Sequence, residues 1–65
     1  MVVKIRFDGL IFVGLTKGQI DDVLYHADGC KVLMDESGGV QVNGKAGDLF
    51  VLLYKLSATY DIELI

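Results

Sequence analysis

The stretch Val40–Leu56, VQVNGKAGDLFVLLYKL, constrains the fold more than any other part of the chain. It reads as a short strand, a break at Asn43-Gly44, and a helix from about Lys45 to Leu56. Leu49, Phe50, Leu52, Leu53 and Leu56 give that helix an apolar stripe at i, i+3, i+4, i+7 spacing. A helix this apolar must be covered on most sides by the rest of the chain. With 65 residues the chain makes one domain, 1–65, and a domain this small hides only about 60% of its unfolded surface. Such domains lean on disulfides, a metal or a partner. Cys30 is the only cysteine and His26 the only histidine, so neither an internal disulfide nor a structural zinc site can form. No metal or cofactor is expected. Association is the support that remains, and a hydrophobic content of 52% points the same way.

The formal net charge is −3 and the sequence pI is near 4.7. Nucleic-acid binders need a basic face that displaces counterions. Six basic residues spread singly along the chain do not form one. No apolar run approaches the ~20 residues of a membrane span. Met1 leads straight into VVKIRF, which reads as a strand and not as a cleavable leader. The expectation is a cytoplasmic protein that keeps Cys30 reduced and binds neither nucleic acid nor membrane.

Val2–Phe7 alternates, with Val3, Ile5 and Phe7 inward, until Asp8-Gly9 breaks the pattern. Leu10–Leu15, LIFVGL, is apolar at five of six positions and has no clear period. It reads as a second strand segment, a buried connection or an exposed adhesive loop; segments between a strand and a helix are normally polar. Thr16 is a candidate N-cap, and Asp21 and Asp22 fall in the first turns of the helix it opens. Ile20, Val23, Leu24 and Ala27 form the inward stripe, and Gly29 lies just past the end. Cys30–Glu36 alternates with Cys30, Val32 and Met34 inward and Leu33 outward. The Ser37-Gly38-Gly39 turn pairs it with Val40–Asn43 as a hairpin. After the second helix, Tyr60–Ile65 closes the chain as a strand with Ile62 and Leu64 inward. The order is βαββαβ, an α+β open-faced sandwich with a four-stranded, mostly antiparallel sheet and two helices on one face. Its predicted core includes Val3, Ile5, Val23, Leu24, Val42, Leu49, Phe50, Leu53, Ile62 and Leu64.

Over Cys30–Ile65 the pieces CKVLMDE, SGG, VNGKA, LFVLL and YDIELI follow one another in an order and spacing that resembles the histidine-containing phosphocarrier (HPr-like) family. Gly9-Leu10 is similar to the opening of the family's active-site motif. The resemblance implies a bacterial, regulatory relative of the sugar phosphotransferase system. It also implies a degenerate one. Ile11 stands where the phospho-accepting histidine would be, Val13 where an arginine is expected, and Ala46 where the family carries a regulatory serine. The family's third helix has no counterpart. The βαββαβ order is shared with ferredoxin-like domains, which differ in strand order.

The residues that carry chemistry do not combine into a catalytic set. His26 falls at a helix C-terminus, where a phosphate is disfavoured. Cys30 faces inward with Lys31 pointing away, as a small core hydrophobe does. Asn43-Gly44-Lys45-Ala46-Gly47 enters a helix but lacks the spacing of a phosphate-binding loop. Asp21-Asp22 and Asp35-Glu36 are adjacent pairs whose side chains diverge. The sequence therefore points to a non-catalytic protein-interaction module, with a self-assembling homodimeric subunit as one alternative and a working phosphocarrier as another. In the HPr-like family the loop matched by Leu10, Ile11, Phe12 and Val13 is a protein docking site. These four residues are the expected contact with a protein partner or a second copy, unless they tuck under the first helix as core.

Overall fold

The computed structural model describes residues Met1–Ile65. It is an α+β domain of five strands and two helices: β1 (Val2–Ile5), β2 (Gly9–Val13), α1 (Lys17–His26), β3 (Lys31–Met34), β4 (Val40–Asn43), α2 (Ala46–Ser57) and β5 (Glu63–Leu64). The strands form one sheet in the order β3-β4-β2-β1-β5. All neighbours are antiparallel except β1 and β5, which run parallel. The expected four-stranded βαββαβ sheet is corrected here to a five-stranded ββαββαβ one. The apolar run after Asp8-Gly9 is the additional strand.

Within the sheet, β2–α1–β3 is a split β-α-β unit: β2 and β3 are parallel and β4 lies between them. The second crossover, β4–α2–β5, passes two strands, β2 and β1, before its strand joins the edge. Register puts Val3, Leu10, Phe12, Val40 and Val42 on one face, through the pairs Val3↔Phe12, Leu10↔Val42 and Phe12↔Val40. That face meets Val23 and Ala27 of α1 and Leu52 and Leu56 of α2 in a single core.

Local chemistry explains where the elements start and stop. Thr16 caps α1 in a full capping box: its side chain accepts from the Gln19 backbone N–H at 3.2 Å, and the Gln19 side chain accepts from the Thr16 N–H at 2.9 Å. Asp21 and Asp22 lie beyond the first turn, which holds no acidic residue. Gly29 leaves α1 with φ +78°, the left-handed value that favours glycine. Gly9 is required by close approach, since a Cβ there would collide with the Val42 carbonyl oxygen and the Asn43 side chain of β4. Asp35 organises the β3–β4 turn by accepting from the Ser37 and Gly39 backbone N–H groups and the Ser37 hydroxyl.

Several expected core residues are outside. Phe7 falls in the β1–β2 turn and is fully exposed, because β1 ends at Ile5. Ile5, Leu24 and Leu64 are also exposed, and Leu49, Leu53 and Ile62 are only half-buried. On α2 the buried pair is Leu52 and Leu56, while Phe50 is 70% exposed. The stripe read from spacing was too wide: Phe50 lies two residues from Leu52, roughly 160° round the helix. The closing strand is only Glu63–Leu64. Its backbone is held to β1 by Ile65 N–H donating to the Val3 carbonyl at 2.9 Å and Ile5 N–H donating to the Ile65 carbonyl at 3.1 Å.

The α2 assignment has a direct energetic consequence. Leu52→Ala is expected to cost about 2–5 kcal/mol, as for a fully buried leucine. In dilute solution, where the single chain is measured, Phe50→Ala is expected to change stability by no more than ~0.5 kcal/mol, as for a surface site. Chemical denaturation of the two variants checks the order; a Phe50→Ala loss equal to that of Leu52→Ala would reverse the facing of the helix.

Candidate functional site

The segment Leu10–Val13, expected as a contact loop, is the middle strand of the sheet. Leu10 and Phe12 are core residues, Phe12 with 0% exposure. Ile11 and Val13 point to the opposite, open face, where both are half-buried. Their cross-strand neighbours there are Lys4 and Gln41 for Ile11 and Val2 for Val13. The open face thus interleaves aliphatic with polar side chains. The four residues do not form one surface.

The continuous apolar surface is elsewhere, on the helix side of the β1–β5 end of the sheet. Inserting β1 between β2 and β5 extends the sheet past the cover that α2 gives over β2. Ile5 and Leu64 share the face of the buried Val3, through register and alternation, yet each is more than half exposed. Between α2 and the end of β1, the β1–β2 turn and the start of β2 lies a cavity of about 220 Å³, open to solvent, whose apolar walls include Ile5, Phe7, Leu10, Leu49, Phe50 and Leu53. Leu53 also lines a second, more open hollow together with Tyr54, Ile62 and Leu64. Phe7 belongs to the wall but is fully exposed, so it stands at the lip and does not fill the space. Arg6 and Asp8, on either side of it, supply charges of both signs at the rim.

The overall dimensions agree with a grooved surface. The Cα radius of gyration is 10.3 Å, close to the about 10.7 Å expected for a compact chain of this length. The accessible surface is 4368 Å², against about 4,100 Å² for a folded chain of this mass.

The titratable candidates sit apart from the groove or are occupied structurally. His26 ends α1 and packs edge-on against Tyr25, with centroids 5.0 Å apart. Cys30 is half-buried and free; burial, assisted by the Asp48 carboxylate, pushes its thiol above the ordinary 9.0, away from a reactive thiolate. Lys45 is the N-cap of α2 but its side chain makes no capping bond. Asp22 accepts from the Tyr60 hydroxyl, which pins the α2–β5 connection to α1 and raises the phenol above its usual range. Asp35 is committed to its turn. No group of three His, Cys, Asp or Glu residues is placed to hold a metal ion, and no helix is long and apolar enough to cross a membrane.

No protein-family model, curated protein or solved structure matches this chain.

Ile5, Leu49, Phe50, Leu53 and Leu64 read from the sequence as core because period and hydrophobicity report which side a residue faces, not whether anything covers that side. Phe7 carried one usable signal, its position next to the Asp8-Gly9 break.

Asp35 gives the pH response of the turn that joins β3 to β4. Its carboxyl is held below the ordinary 3.8, first by the Ser37 hydroxyl and then by the Gly39 N–H. A lowered folded value contributes stability above the unfolded value, and that contribution is lost as pH falls through the folded one. Asp35→Asn is therefore expected to melt below wild type at pH 6, with the gap closing as the solution is taken below pH ~3. A gap independent of pH would show that the ionised carboxylate is not what holds the turn.

Proposed function

We propose that this chain is a non-catalytic protein-interaction module that works through the groove between α2 and the β1–β5 end of the sheet. One observation carries the reading: Ile5, Phe7 and Phe50 are all more than half exposed around one apolar hollow of a folded domain, and Leu64 is more than half exposed on a second hollow that shares Leu53 with it. Contiguous apolar surface on a small protein marks a place where another surface sits. The reading assigns no catalytic residue. A regulatory kinship with the phosphotransferase system rests on the resemblance of Cys30–Ile65 alone. Ile11, which stands where that family has its histidine, has no nucleophilic atom and lies in β2. The interaction reading does not depend on that kinship.

The test is site-specific photocrosslinking in the native cell. A photoreactive phenylalanine analogue at Phe50 is expected to give a discrete protein adduct, identified by mass spectrometry as this chain or another. The same analogue at Tyr25, an exposed residue on α1, is expected to give none. Indistinguishable adduct patterns from the two positions would overturn the reading.

A further inference from the structure

We propose that the groove is filled by a second copy of this chain, in a two-fold symmetric dimer in which Phe7 of each copy enters the cavity of the other. The proposal rests on the groove being an interaction surface and names its occupant. A two-fold interface uses the same patch twice, so the patch must carry both a projection and the hollow that receives it. This patch does. Phe7 projects with 106% relative exposure, and the hollow beside it measures about 220 Å³ with mainly apolar walls. An apolar cavity of roughly 150 Å³ is already large enough for a benzene ring.

Charge and area fit the same occupant. Arg6 and Asp8 flank Phe7 at the rim. When two such turns meet about a two-fold axis, Arg6 of each copy faces Asp8 of the other. The rim is thus self-complementary although the chain carries −3 overall. Phe7, Phe50 and Tyr54 are 106%, 70% and 78% exposed; at 150–250 Å² per aromatic, they alone offer roughly 380–640 Å². Ile5, Leu53 and Leu64 bring the patch toward the ~800 Å² that each partner gives to a stable interface. The dimer also supplies the outside support that a chain of this size has from neither disulfide nor metal.

The experiment is sedimentation equilibrium at low salt, where rim charges are least screened. Circular-dichroism melts check that each variant is folded, and all substitutions lie in the exposed β1–β2 turn. Wild type is expected at twice 7.1 kDa. Phe7→Ala is expected to raise the dimer Kd roughly tenfold or more. Arg6→Asp and Asp8→Arg are each expected to weaken association, and an equimolar mixture of the two to recover it, because both mixed pairs are attractive. A single-chain mass for wild type up to about 1 mM, weaker than any specific association of this kind, overturns the second copy. A wild-type dimer indifferent to Phe7→Ala overturns the site, and charge variants that the mixture fails to rescue overturn the two-fold pairing. Monomeric wild type with a Phe50 adduct to a different protein would sink the dimer and leave the interaction reading standing; monomeric wild type with no specific adduct sinks both.

Discussion

The sheet order β3-β4-β2-β1-β5 is open, and within it β2 carries the ladders that join the β1/β5 side to the β4/β3 side. On the helix side, Phe12 of the same strand packs among residues from both halves, with Val3 across one ladder and Val40 across the other. Burying Leu10 and Phe12 is worth about 3–6 kcal/mol together. That is the whole stability expected of a domain this small. Gly9 opens the strand because β4 comes so close that no side chain fits. Without β2 the β3–β4 hairpin and the β1/β5 pair would have nothing between them.

The same placement creates the groove. A hairpin puts β1 on the outer side of β2, and α2 must then reach over both strands to deliver β5. Two helices do not cover five strands evenly. Val3 is buried in the core, while Ile5 and Leu64, on the same face, are left in the open. The exposed side of α2 adds Phe50 and Tyr54 to that margin. An exposed apolar groove arises here from the width of the sheet relative to its helical cover.

The α+β class, the capped first helix with its terminal glycine and the β3–β4 hairpin were legible in the sequence, because each is written in local residues: Thr16, Gly29, and Ser37-Gly38-Gly39 between alternating strands. The role of Leu10–Val13 was not. A strand paired on both sides, with one face on the core and the other half-covered, accepts apolar residues at every position, so LIFV carries no alternation to read. Phe50 misled for a different reason. Five large apolar residues within eight positions exceed one helix face, and spacing alone does not say which of them faces water. The apolar groove was invisible for the same cause: its residues are hydrophobic, and only the packing reveals that nothing in the chain covers them.

The claim on which this account rests is that Leu10–Val13 is the central strand and not a surface loop. Amide hydrogen exchange followed residue by residue measures it directly. The account predicts that the β2 amides bonded to β1 and β4 are among the slowest in the chain and open only with global unfolding, while Phe7 and Asp8 in the adjoining turn exchange fast. Exchange across Leu10–Val13 as fast as in that turn would contradict the account.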